Sequence, residues 1–190
     1  DSSQNNLRDN AYNAFAKYLA DVIAHFNLED GEVTFTSATG MNEPYTNYWG
    51  ANSNKQEGCH FDQGDSQSRV IRALNWNLHD KGVHNCIVSG TDETSIDTAI
   101  NSYNALDQYA KETISRIDTH TYGGSKRYEL RELAENEGKN LWMSEVDGDF
   151  TAGDNAGHMA SALGLAQRII LDLNWLKPSA WILWDIIDMH

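Results

Sequence analysis

Five short runs rich in β-branched and aromatic residues, separated by longer stretches of helical periodicity, constrain this chain more than any other feature. The runs are VTFTSATG from Val33, CIVSG from Cys86, RIDTHTY from Arg116, LWMSEV from Leu141 and AWILWDII from Ala180. Ahead of the first, Tyr12, Phe15, Leu19, Val22 and Phe26 recur in steps of three and four behind Asp9, which stands where an N-cap would. Ser66 is placed to cap a second helix carrying Val70, Leu74 and Leu78 and closed by Gly82. Thr94 or Ser95 caps a third with Ile96, Ile100, Tyr103 and Leu106. A fourth surrounds Tyr128 to Glu137. A long one carries Met159, Leu163, Ile169, Ile170 and Leu173 and turns at Pro178.

Strands alternating with amphipathic helices imply parallel pairing through right-handed crossovers. Two α/β architectures fit: an open doubly wound sheet, or part of an eight-stranded TIM barrel of roughly 250 residues. No G-x-G-x-x-G occurs, so the phosphate turn of a dinucleotide-binding sheet is missing. The last run has no helix after it to cover it. The expectation is a (β/α)8 barrel segment, covering about strands 4 to 8, with no boundary between domains.

Composition narrows the ligands. With a net charge of -14 and no Lys/Arg cluster, neither nucleic acid nor an anionic membrane surface is a natural partner. No apolar run approaches the roughly 20 residues of a membrane span. A neutral polar substrate fits best. The two cysteines, Cys59 and Cys86, flank a helical stretch, and a disulfide between them is not favoured.

In a barrel of this kind functional side chains gather at the carboxyl ends of the strands. Glu43, in GMNEPYTNYWG, follows the first run, and Pro44, lacking an N–H, is expected to end that strand. Glu145 lies near the end of LWMSEV and Asp185 near the end of AWILWDII. His120 and Tyr122 close RIDTHTY, and Asp92 and Glu93 follow CIVSG, while the strand starts read as apolar. Glu43 and Glu145 are separated by about three barrel units and so face the same mouth. Two carboxyls on one cavity are the minimum for glycosidic hydrolysis, one protonated and one ionised. Tyr45, Tyr48, Trp49, Tyr122 and Trp184 supply flat rings of the kind on which sugars stack.

Single signals are weaker. N-E-P alone is a common turn tripeptide, and a lone histidine such as His120 is more often a hydrogen-bonded core residue than a catalyst. Trp142 and Trp181, near strand starts, read as core, and KRYELRELAENEGK as a solvated helix face.

Together, MNEP, NYWGANSNKQEGCHF, SGTDETSIDT, IDTHTYGGSKR and NLWMSEVDG make the sequence resemble glycoside hydrolase family 30, in the branch of the endo-β-1,6-galactanases. The resemblance runs over essentially the whole chain, making residues 1–190 a partial catalytic domain. It implies a retaining, endo-acting hydrolase of a neutral polysaccharide such as β-1,6-galactan, secreted or at the cell surface of a bacterium, without cofactor or metal. By position it implies Glu43 as general acid/base and Glu145 as nucleophile. Asn42, Trp49, His120, Tyr122, Trp184, Asp92 and Glu93 would contact or frame the sugar. It also implies that the missing barrel strands and an accessory β-sandwich belong to a longer parent chain, without which this segment is inactive or needs a partner fragment. The alternatives are a β-1,6-glucanase, xylanase or glucosylceramidase-like enzyme of the same family, a non-catalytic carbohydrate-binding protein, and a metal-dependent hydrolase using His120, Glu145 and Asp185.

Overall fold

Ala-rich spacing sets the first helix. The structure, a computed structural model, describes residues 2–50, 52, 58–147 and 157–184. Helix α1 (Tyr12–Ala24) buries Tyr12, Ile23 and the alanines Ala16, Ala20 and Ala24, whose small side chains let it lie close against α2 (Asp65–Asp80). The expected stripe continues less far than its periodicity suggests. Val22 is exposed, and a π-helical turn over His25–Asp30 changes the phase, so Phe26 packs edge-to-face on Phe35 at 5.6 Å instead. Asp9 does not cap α1; it pairs with Arg69, at 3.1 Å. Ser66 does not cap α2 either: it sits buried in the first turn, hydrogen-bonded to the Tyr12 hydroxyl at 2.8 Å. Ser95 does cap α3 (Ile96–Ala105), accepting from the Thr98 N–H. A short α4 (Gln108–Thr113), capped by Asp107, was hidden in the sequence behind α3. Helices α5 (Arg127–Asn136) and α6 (Met159–Leu171) follow, the latter with Met159, Leu163 and Ile170 exposed.

The strands are β1 (Ser37–Ala38), β2 (Ile87–Ser95), β3 (Arg116–Gly123), β4 (Asn140–Val146) and β5 (Ala180–Leu183), all parallel and adjacent in chain order. A doubly wound sheet reverses its strand order at a switch point; this one never does, which is the progression of a barrel wall. The first strand is shorter than VTFTSATG suggested, because Asn27 engages both backbone groups of Phe35 (2.8 and 2.9 Å) and holds that half against the end of α1. Asp185 lies outside the described residues. Cys59 is an exposed free thiol and Cys86 a buried one.

Alternation along the strands separates two faces. Ile117 and Met143 turn to the helices, where they join Ile71, Leu74, Ile96, Tyr103 and Leu130 in one apolar core. Arg116, Asp118 and His120 turn the other way. The strand starts are therefore not uniformly apolar, as the sequence suggested. The Arg116 guanidinium pairs with Asp118 at 2.5 Å and donates to Ser37 and Ser89 at 3.0 and 3.1 Å. It also stacks 3.6 Å over the Trp142 ring, so one side chain ties together four strands. Trp142 belongs to this polar layer, whereas Trp181 packs against the core and donates its indole N–H to Asp172.

Removing one member of a buried pair leaves an uncompensated charge, at a cost of about 3–5 kcal/mol. Asp118→Ala should lower unfolding free energy in urea by that amount. The double substitution Arg116→Met with Asp118→Leu should cost less than Asp118→Ala alone.

Candidate functional site

Three backbone irregularities aim the carboxylates. Glu43 is reached through a loop of several residues after β1, so Pro44 does not end the strand. The loop is pinned by the Glu43 N–H donating to the Asp92 carbonyl at 2.8 Å and by the Pro44 carbonyl accepting from the Phe61 N–H at 2.9 Å. Glu43 itself has φ 46°, a left-handed conformation that costs on the order of 1–3 kcal/mol and persists where surrounding bonds enforce it. Asp92 has φ 57°, at a register shift between Thr91 and Glu93. Regular alternation from Ser89, which faces Arg116, would set Glu93 on the site face and Asp92 on the helical one; the bulge reverses the two. A second shift, where Thr119 pairs with Met143 but His120 pairs with Glu145, lets both Ser144 and Glu145 reach the mouth side of β4.

These irregularities bring Glu43, Asp92 and Glu145 around one imidazole. His120, 1% exposed, places Nδ1 3.0 Å from Glu43 Oε1 and 3.8 Å from Glu145 Oε1, and Nε2 3.4 Å from Asp92 Oδ1. Burial alone would push its proton off. The hydrogen bonds and charges of Asp92, Glu43 and Glu145 outweigh burial and raise its pKa to about 10, so the ring is an imidazolium at neutral pH. Burial tends to raise Glu43, which is 5% exposed, but hydrogen bonds from His120 and the Tyr48 hydroxyl prevail and hold it below the usual range. Glu145 moves the other way, upward, because burial with the Glu43 and Asp92 charges outweighs His120 and the Tyr122 hydrogen bond.

Tyr122 donates to Glu145 Oε1 at 3.1 Å while its own oxygen accepts from the Asp147 N–H at 3.0 Å. Burial and the Glu145 charge raise the phenol's pKa, so it stays a donor; burial and Glu43 do the same for Tyr48. Asn42, Glu43, Tyr48 and Trp49 line one small recess. Tyr45, Tyr48 and Trp49 also face a cavity of about 590 Å³ completed by Asn47, His60 and Asp62. Trp184, largely exposed, is fixed at the same end of the sheet by its N–H bond to Val146 O at 3.0 Å.

Glu93, grouped in sequence with Asp92, does not share this site. It is 0% exposed and faces the helical layer, accepting from Gln67 (2.9 Å), Ser102 (2.6 Å) and the Tyr45 N–H (3.1 Å). Sequence reading also passed over Tyr48 as the partner of Glu43, and Ser144, which donates to Asp92 at 2.6 Å. The alternation in RIDTHTY, which sets Arg116, Asp118, His120 and Tyr122 on one face, was the available signal for the charged pair beneath His120; nothing comparable marked Tyr48 or Ser144.

Among the described residues, Glu43, His120 and Glu145 offer ligand atoms within 4.8 Å of one another, close enough to consider a metal. As an imidazolium donating toward carboxylates from both nitrogens, His120 would have to give up a proton before it could ligate a cation.

The buried Glu93 also predicts a pH effect. Desolvation by burial, opposed by its hydrogen bonds, raises its pKa to about 7 from 4.5. A raised folded-state pKa contributes stability that is present in full below about pH 4.5 and lost as pH rises through about 7. Urea unfolding between pH 5 and 8 should show a fall with pH that Glu93→Gln lacks, the two curves diverging by on the order of 3 kcal/mol. Parallel curves would show that Glu93 is ionised throughout.

Residues 1–118 match the model of O-glycosyl hydrolase family 30. The chain is 36% identical over 188 residues to an endo-β-1,6-galactanase of Hypocrea rufa, a match covering 98% of this chain and 36% of that protein. It is 32% identical over 146 residues to an exo-β-1,6-galactobiohydrolase of Bifidobacterium longum, covering 76% of this chain and 9% of the other. It thus spans about a third or less of the length of these relatives. A family 30 endoxylanase from Clostridium papyrosolvens superposes with a TM-score of 0.69 at 20% identity, over 98% of this chain and 43% of the other. A family 30 xylanase from Clostridium acetobutylicum does so with 0.67 at 19%, over 94% and 41%. At those identities the structures speak for the fold alone, a sector of the (β/α)8 barrel. The chain belongs to O-glycosyl hydrolase family 30.

Proposed function

We propose that this chain is part of the catalytic domain of a retaining β-glycosidase that cleaves a neutral polysaccharide, β-1,6-galactan, in an endo fashion. One observation carries the mechanistic part: a carboxylate oxygen of Glu43 and one of Glu145 lie within 4.8 Å of each other. Inverting enzymes separate their carboxyls by about 6.5–9.5 Å to seat a water between them, and retaining enzymes keep them about 5–5.5 Å apart. The short spacing favours direct attack by one carboxylate on the sugar. The similarity to an endo-β-1,6-galactanase and an exo-β-1,6-galactobiohydrolase supports the linkage.

In this reading the Glu145 carboxylate attacks the anomeric carbon while Glu43 gives its proton to the departing oxygen. Water then cleaves the glycosyl ester, its proton returning to Glu43. Asn42 bonds the hydroxyl beside the reacting carbon, and Trp49 and Trp184 frame the ring. Without substrate the two acids are displaced in the order opposite to these roles, Glu43 downward and Glu145 upward. Substrate reverses both pressures. A sugar over Glu43 removes its remaining water and raises it, and positive charge developing at the anomeric carbon favours ionised Glu145. His120, whose Nδ1 lies 3.0 Å from Glu43, keeps a proton within one hydrogen bond of the acid. A polysaccharide does not cross membranes, so the enzyme would meet it outside the cell. The remaining strands of the barrel, and an accessory β-sandwich, would lie elsewhere in the parent protein.

Reducing-sugar release tests the reading. The enzyme should act on β-1,6-galactan and not on β-1,6-glucan or glucuronoxylan, and Glu145→Gln should abolish release. Glu43→Gln should lose about 10²–10⁴-fold on the polymer and far less on an aryl glycoside whose leaving group needs no proton. Retained activity in Glu145→Gln would remove the mechanism; cleavage of another polymer would move the specificity alone.

A further inference from the structure

The helical side of the molecule carries a second concavity, of about 650 Å³, to which no strand contributes a lining residue. That is within the range of small-ligand sites, about 300–1,000 Å³. Its walls are Tyr12 and Asn13 of α1, Arg69, Arg72 and Trp76 of α2, and Tyr109 of α4.

Trp76 is the unusual member. The core stripe of α2 is Val70, Ile71, Leu74 and Leu78, all buried, and Trp76 lies outside it, 66% exposed. Tyr109, also lining the concavity, is 45% exposed. Neither the indole N–H nor the Tyr109 hydroxyl has a partner among the described residues. Both rings line the one concavity, where their flat faces are open to a ligand that stacks.

The charges exclude an anionic ligand. Arg69 is held by the Asp9 carboxylate (3.1 Å) and carbonyl (2.7 Å) and stacks 3.9 Å over the Tyr12 ring. Arg72 is paired with Asp107 and, at 3.9 Å, with Asp65. Each guanidinium therefore has its countercharge, on a chain of net charge -14. An apolar partner would strip water from these pairs without replacing it. A ligand with flat apolar faces and a rim of hydroxyls would cover the rings and still hydrogen-bond the pairs and the Asn13 amide. Pyranose rings have that form.

We propose that this concavity is a second glycan-binding site, at which Trp76 and Tyr109 stack pyranose rings of a neutral polysaccharide while another stretch of the same polymer occupies the strand-end cleft. The identity of the polymer rests on the function proposed above; the existence of the site does not. Two contacts on one polymer raise apparent affinity without any change in the chemistry, so polymers gain and short oligosaccharides do not.

The test is affinity electrophoresis through gels cast with β-1,6-galactan, β-1,6-glucan or xylan, run on Glu145→Gln with and without Trp76→Ala and Tyr109→Ala. Thermal unfolding checks that the exposed substitutions leave the fold intact. Removing both rings should weaken retention by one polymer roughly fivefold or more. In the active enzyme it should raise KM on that polymer and leave kcat/KM on a short oligosaccharide unchanged. Ring-dependent retention without cleavage would sink the proposed activity and keep the site. Cleavage with retention indifferent to the rings would keep the activity and overturn the site, as would no retention on any polymer. A dimer in sedimentation that the double substitution dissolves would also overturn it, by making this face a contact between copies.

Discussion

A buried cation among three carboxylates is the constraint on which the mouth of this half-barrel depends. Glu43, Asp92 and Glu145 approach one another in a region of low water access, where like charges would force at least one to stay neutral. His120 resolves the conflict by remaining protonated with Glu43 and Asp92 on its two nitrogens and Glu145 just beyond. Removing that charge would leave the acids to repel one another, and the backbone holding them is already in costly conformations at Glu43 and Asp92.

The rest of the fold reads as the means of keeping this arrangement in place. Beneath the imidazolium lies a second cation, Arg116, neutralised by Asp118 and tied to the flanking strands through Ser37, Ser89 and the Trp142 ring. His120 and Arg116 share one face of β3, two charged layers stacked along the strand, while the opposite face supplies Ile117 to the apolar core. A regular strand would have sent Ser144 and Glu145 to opposite faces. The bulge in β4 gives both to the site, and the one in β2 gives Asp92 to the site and Glu93 to the helices. A register irregularity at each strand end is how a plain parallel sheet is made to converge several acids on one point.

Much of this was legible before any coordinates. The order of strand and helix followed from period-two and period-3.6 patterns, and the barrel progression followed from the missing phosphate turn. Glu43, Glu145, His120 and Tyr122 stood out as polar groups at strand ends, and the structure brings the four side chains together. What could not be read was set by non-local geometry. Nothing in GTDETS says that Asp92 takes a left-handed conformation and its neighbour does not, so both acids looked alike. VTFTSATG, for its part, has the composition of a long strand, yet the Asn27 side-chain amide, eight residues ahead, claims its backbone at Phe35. The polar layer at Arg116 went against the reading of the strand starts as apolar, because its partners Ser37, Ser89 and Asp118 come together only in the folded sheet.

The protonation of His120 links all these levels, since it sets the electrostatics of both acids. The most direct measurement is the ¹⁵N chemical shift of the two His120 ring nitrogens at pH 8, well above the ordinary histidine pKa of about 6.5. Both nitrogens should report attached protons, with titration only near pH 10, as the surrounding carboxylates require. A neutral ring in a single tautomer at pH 8 would contradict the account, because the acids would then have to hold themselves apart without it.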